Sequence, residues 1–338
     1  ASGGITGPLA AQGRGGAAAG RVDAGAPDGG PADPGAAGRS PAGQGDAAAA
    51  APSRLGFQGI TASQEDRVRV PEGYEAAVLI RWGDPVGDPR GMPAFRHDAS
   101  NSAQEQALQS GTHHDGMHFF PLPRVPMTGV AARPAAQADS THGLLVTNHE
   151  YPDYGTLFPD HVAGWSLEKV RKAQHALGVS VLEVVREGGA WRVVRPSRLA
   201  RRIHGDTPMR LSGPAAGHEA MRTEASPAGL EARGTFANCA NGWTPWGTYL
   251  SCEENFNYYF RGREAPTPQE ARYGISARND IVRWSQHDPR FDVSRHPNEP
   301  NHFGWVVEID PYDPQSVPVK RTALGRKKQE AAAPAICR

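Results

Sequence analysis

The chain of 338 residues is long enough for one large or two ordinary domains, and its 36 basic and 36 acidic side chains cancel to a formal net charge of zero. That balance gives no electrostatic footing for nucleic acid or an anionic membrane surface, and no apolar run reaches the ~18 residues needed to span a bilayer. Forty glycines, 30 prolines and 38% hydrophobic residues favour turns over long helices, and three irregularly spaced cysteines make neither a disulfide framework nor a CxxC zinc pattern.

Residues 1–53 are Ala, Gly and Pro with scattered charges. So few aromatic or β-branched residues cannot repay the entropy of ordering, and the segment reads as a disordered leader. It also lacks the basic start and continuous apolar stretch of an export signal. Order begins near Arg54. Short alternating runs at Val68–Val70 and Ala76–Ile80 read as strands, and Gln104–Ser110 as a helical turn. In HHDGMHFFPLP, a polar start carrying His113, His114, Asp115 and His118 leads into an aromatic strand. These four could hold a metal, although their spacing matches no zinc motif and they equally suit surface or core positions.

The next strand, Gly143–Tyr151, runs directly into Asn148, His149 and Glu150. Glu168–Leu177 reads as a short helix, and Gly178–Pro196 as a hairpin about Gly188-Gly189. A basic, loop-rich span with His204, Asp206, Arg210, His218 and Arg222 follows. Then comes the densest chemistry in the chain, NCANGWTPWGTYLSCEENFN from Asn238 to Asn257. A short strand at Thr248–Leu250 opens onto Cys252, Glu253, Glu254 and Asn255, a run suited either to metal ligation or to solvated charge at a strand end. After an aperiodic polar insertion from Arg261 to about Pro300, Phe303–Pro314 gives another strand whose end carries Glu308 and Asp310. Lys320, Arg321 and Arg326 come next.

Repeated strand–turn–strand units with sparse helix imply an all-β fold, better suited to a β-propeller than to a sandwich, without a clean 40–50-residue period. Glu150, Glu253, Glu254, Glu308 and Asp310, with the Asn148 and Asn255 amides, suit hard cations such as calcium, and a thiolate adds a transition metal. Arg210, Arg222, Lys320 and Arg321 suit an anionic group such as phosphate. Metal-assisted phosphate ester hydrolysis and a calcium-stabilised structural module both fit these residues. The GxSxG elbow, HExxH, the Rossmann fingerprint and the EF-hand loop are all missing.

Eight stretches, in order from Arg54 to Arg326, resemble the PhoX-type alkaline phosphatases: RLGFQGI, VPEGYEAAVLIRWGDPV, HDGMHFFPL, LLVTNHEY, GVSVLEV, LSGPAAGHEAMRT, NCANGWTPWGTYLSCEENFNYYF and FGWVVEIDPYDPQSVPVKRTALGR. The resemblance implies a six-bladed β-propeller with loop and short helical decorations, of which residues 54–328 would form the N-terminal blades. It also implies phosphate monoesters as substrates, calcium and iron as cofactors, a monomer, and a periplasmic or secreted enzyme exported by the twin-arginine route. Residue by residue, it points to Glu150, Glu253 and Glu254 as metal carboxylates, with Asn148 and Cys252 as further ligands. Cys239 competes with Cys252 for the thiolate role. Glu253, Lys320 and Arg321 are the expected catalytic and phosphate-binding groups. Where family members continue with a His-Glu pair, this chain has Gln329-Glu330 and then AAAPAICR. Residues 329–338 are therefore expected to be an aberrant or disordered tail of a C-terminally truncated member, with an inactive calcium-binding propeller fragment as the alternative to an enzyme.

Overall fold

The computed structural model describes residues 56–124, 139–279 and 281–335. The expected leader at 1–53 and the thiol of Cys337 lie outside the described residues. The chain divides into two units, Ala1–Ala77 and Val78–Arg338. In the first, residues 56–77 carry no helix or strand, and Phe57 meets Tyr74 edge to face at 5.6 Å. The strands expected at 68–70 and 76–80 do not form. Alternation makes a strand only where a neighbour takes up its backbone hydrogen bonds; Val68 and Val78 stay exposed at 79% and 77%, and within these runs only Leu79 and Ile80 are partly buried.

The second unit is built mainly from two sheets. A one-turn helix α1 (Ala103–Gln106), closed by a capping box between Ser102 and Glu105, precedes β1 (His114–Pro121). β2 (His142–His149) runs antiparallel to β1. Two helices follow, α2 (Tyr154–Leu157) and α3 (Leu167–His175), the latter capped by the Ser166 hydroxyl. β3 (Gly178–Glu187) and β4 (Ala190–Val193) form the expected hairpin, with Gly188 and Gly189 both at positive φ and Glu187 opposite Ala190. β5 (Arg201–Ile203) also pairs with β3 and completes the first sheet.

The second sheet contains β6 (Pro208–Ser212), β7 (Glu231–Arg233), β8 (Asn238–Trp243), β9 (Tyr249–Glu253), β10 (Val306–Ile309) and β11 (Val319–Arg321). Its order is β7-β6-β11-β10-β9-β8, and every pairing but the parallel β6–β11 one is antiparallel. The described residues are thus mostly β, as expected, and their two sheets remain open. No helix among the described residues is long and apolar enough to cross a membrane.

One apolar core is shared by the sheets: Phe120, Leu144, Val146, Val179 and Val181 from the first meet Met209, Leu211, Tyr249, Val307 and Ile309 from the second. Each such side chain contributes about 1.5–3 kcal/mol by leaving water. A second core sits under the insertion between β9 and β10, where a short helix α4 (Pro268–Arg272) and several 3₁₀ turns replace strands. Phe236, Phe256, Phe260, Trp284, Phe291 and Phe303 pack there against α3, with Phe236 and Trp284 perpendicular at 5.5 Å. The insertion looks aperiodic because single aromatics reach this core from loops and single turns, where neither a period of 2 nor one of 3.6 applies.

α3 also buries Lys172, whose Nζ donates to the carbonyls of Ala99 and Leu157 at 2.6 and 2.7 Å. Burial pushes its pKa down from 10.5 to about 8, against the opposing pull of Glu168, Glu105 and Asp98. The folded protein therefore carries a penalty for the charged amine that is fully present below the folded pKa and vanishes as pH rises through the unfolded value. Stability is expected to climb by up to about 3 kcal/mol across that window from this group alone. Urea unfolding across the same window checks it, with Lys172→Met flattening the rise.

Candidate metal centre

Two strand bulges aim the central ligands. In β1, His114 faces His149 but Met117 faces Thr147, so one extra residue is accommodated around Asp115. In β8, Asn238 faces Glu253 but Asn241 faces Ser251, with the extra residue around Cys239. A bulge bends its strand and redirects a side chain that regular alternation would send elsewhere. Each is entered through a left-handed residue, His113 at φ 48° and Ala237 at φ 55°. Gly116 lets the bulges approach: a Cβ there would lie 2.8 Å from the backbone of Ala240 and Asn241.

Three further carboxylates arrive from strand exits and from the chain's last described segment. Glu150 lies immediately past β2, its N–H donating to the His113 carbonyl at 3.0 Å. Glu254 lies immediately past β9, its N–H donating to the Ala237 carbonyl at 2.8 Å. Glu330 is held next to β9 by the Gln329 N–H, which donates to the Glu253 carbonyl at 2.9 Å. The result is two ligand groups sharing one sulfur. Asp115, Glu150 and Cys239 place ligand atoms within 4.8 Å of one another, and so do Cys239, Glu254 and Glu330.

The electrostatics of this cluster favour a cation. Asp115 Oδ2 and Glu330 Oε1 each lie 3.3 Å from Cys239 Sγ, yet a thiol has one proton and can serve only one of them. Burial pushes the Cys239 thiol well up, and its hydrogen bonds to Glu330 and Asp115 push it further. The Glu150 carboxyl is likewise raised by desolvation, then by Asp115, Glu254 and Glu330. Four carboxylates and a thiol in one pocket resist ionising together unless positive charge joins them. Two carboxylates and one sulfur in each group form a donor set that accepts either a hard cation or a transition metal.

Comparisons with known proteins place the chain in a family. The family model described as alkaline phosphatase PhoX matches residues 55–338. The chain belongs to the PhoX alkaline phosphatase family. Among solved structures, Pseudomonas fluorescens PhoX in complex with vanadate, a transition state analogue, matches with 47% sequence identity and a TM-score of 0.76. That match covers 82% of this chain, which spans 46% of the PhoX chain's length. A search of curated proteins returned no match.

Of the residues that the PhoX resemblance singled out, the structure brings Glu150 and Glu254 into the cluster and the others elsewhere. Cys252 is fully buried among Leu250, Val306 and Ala332, where burial pushes its thiol up to about 12. Glu253, also fully buried, meets Lys320 Nζ at 2.6 Å and accepts from the Gly304 and Trp305 N–H groups at 3.0 and 3.1 Å. Lys320 further donates to the His302 carbonyl and lies 4.0 Å from the centroid of the Phe303 ring. Arg321 instead binds Glu308 at 2.6 Å and the Ser212 hydroxyl at 3.2 Å. The reason is the strand period of 2, which sends Lys320 and Arg321, or Cys252 and Glu253, to opposite faces. Asn148 binds protein groups: its amide nitrogen donates to the carbonyls of Cys239 and Ala240.

Of the four residues of HHDGMH that could hold a metal, Asp115 is the one in the cluster. Glu330 is the candidate ligand that the sequence does not single out. It is a lone carboxylate in the segment expected to be aberrant, of which residues 329–335 are described and lie against β8 and β9. A Cβ on Gly242 would lie 1.5 Å from the Ala332 carbonyl, which shows how closely that segment lies.

Proposed function

We propose that this chain carries the metal-binding core of a PhoX-type phosphomonoesterase. The observation that supports it most is the convergence of Asp115, Glu150, Glu254 and Glu330 on the single thiol of Cys239. In this reading Asp115, Glu150 and Cys239 would hold one cation, and Cys239, Glu254 and Glu330 would hold another. The oxygens suit calcium, and the thiolate suits iron, the two metals the family resemblance implies. Bound there, such cations would supply Lewis acidity toward a phosphoryl oxygen and the leaving group of a phosphate monoester. The protein's own part is to keep the ligands at fixed separation through the two bulges and to give up the Cys239 proton on loading. The two open sheets are read as neighbouring blades of a β-propeller, supported by the likeness to Pseudomonas fluorescens PhoX. Export to the periplasm or the exterior, and a monomeric state, belong to the same reading.

Release of phosphate from p-nitrophenyl phosphate, with calcium and iron supplied, tests the function. Turnover is expected with the metals, to vanish on chelation, and to be inhibited by vanadate, the analogue bound by the Pseudomonas protein. Metal binding with no turnover would instead support a non-catalytic cation-binding unit.

A further inference from the structure

The β8 bulge that aims Cys239 is itself held by a buried chain of side-chain hydrogen bonds. Between Asn238 and Asn241 the strand leaves its register with β9, so the Cys239 and Ala240 carbonyls fall in the irregular stretch. Both accept from one group, the Nδ2 of Asn148, across the gap between the two sheets. Carbonyls only accept, so the amide nitrogen must face them, which fixes the orientation of the Asn148 side chain. Its Oδ1 then accepts from the Ser251 hydroxyl at 2.9 Å. Ser251 in turn accepts from Asn238 Nδ2 at 2.8 Å, and Asn238 also donates to Thr235 Oγ1 at 2.7 Å. Thr235 donates to Glu253 at 2.8 Å, where Lys320 ends the chain.

Every side chain from Asn148 to Lys320 in this series is fully buried. Water therefore cannot replace a missing partner, and loss of the Asn148 amide leaves two carbonyls without their donor. We infer that Asn148 is a positioning residue for the Cys239 thiol: its amide clamps the bulge carbonyls and so sets where the sulfur points, with Ser251 orienting the amide. The inference rests on the metal-centre reading, because a fixed sulfur matters only if it ligates. It assigns Asn148 a role different from direct ligation, since both ends of its amide are already occupied by protein groups.

The test is cobalt(II) titration of the full chain, following the near-ultraviolet sulfur-to-cobalt charge-transfer band, for wild type, Asn148→Ala, Ser251→Ala, Ser251→Thr and Cys239→Ser. Circular dichroism confirms that each variant is folded. Wild type should show the band and Cys239→Ser should lose it. Asn148→Ala should bind cobalt about 10–100-fold more weakly, the usual cost of losing a group that orients a ligand, with a weakened or shifted band. Ser251→Ala should move the same way by less, and Ser251→Thr, which keeps the hydroxyl, should recover toward wild type. A folded Asn148→Ala with wild-type affinity and an unchanged band overturns the inference while leaving the metal centre intact. Absence of a thiolate band from wild type itself overturns both. Should Asn148→Ala not fold, Ser251→Ala against Ser251→Thr decides, and equal bands in those two variants count against the inference.

Discussion

Cys239→Ser is expected to abolish tight metal loading of this chain and, with it, phosphomonoester hydrolysis. The sulfur is the one atom shared by both ligand groups, so its loss weakens two cation positions at once. Replacing a group that merely orients a ligand costs about 10–100-fold in metal affinity, and removing the shared ligand should cost at least the upper end of that range. Serine keeps the volume and a hydrogen-bond donor, so the bulge and the fold should persist. Cys252→Ser is the matched control. It places a hydroxyl among Leu250, Val306 and Ala332, which should lower stability by about 1–3 kcal/mol without touching metal content. Elemental analysis of the two purified variants separates the thiols. Metal lost from Cys252→Ser and retained by Cys239→Ser would reverse the assignment.

The second large effect is on stability. Lys320 and Glu253 are both fully buried and 2.6 Å apart, and burial presses the Lys320 pKa down while Glu253 holds it up. Lys320→Met strands a carboxylate that then has only Thr235 and two backbone N–H groups as partners. Breaking one side of such a pair costs about 3–5 kcal/mol, which for a unit of this size corresponds to a fall in Tm of roughly 10 °C. Adding Glu253→Gln removes the stranded charge and should restore part of the loss. Calorimetry on the single and double variants reads this directly. If Lys320→Met instead melted like wild type, and only its KM for a phosphate ester rose, the lysine would be a substrate contact.

The sequence shows about half of the sheet framework and only part of the site. Alternation and turn chemistry mark β1, β2, β3, β4, β9 and β10, where a strand has a neighbour and a buried face. The short strands β5 and β6 lie in a span that reads as loop, and β7, β8 and β11 are too short or irregular to show a period. The CEEN run reads as one patch because its residues are contiguous. A strand distributes contiguous residues over two faces, so Cys252 turns to Leu250 and Val306, Glu253 turns to Lys320, and only Glu254, past the strand end, reaches the cluster. The same rule separates Lys320 from Arg321. Bulges are the opposite case: they bring Asp115 and Cys239 to a common point by breaking alternation, and nothing in the spacing of DGMHF or NCANG signals that break. The runs at 68–70 and 76–80 look like strands by pattern alone but find no partner.

The most direct test is a crystal structure of the chain after loading with calcium and iron, with anomalous scattering used to place the metals. Peaks bonded to Cys239 and flanked by Asp115 and Glu150 on one side and Glu254 and Glu330 on the other are the predicted result. A metal bound at Glu253 or Cys252, with the Cys239 cluster empty, would contradict the account.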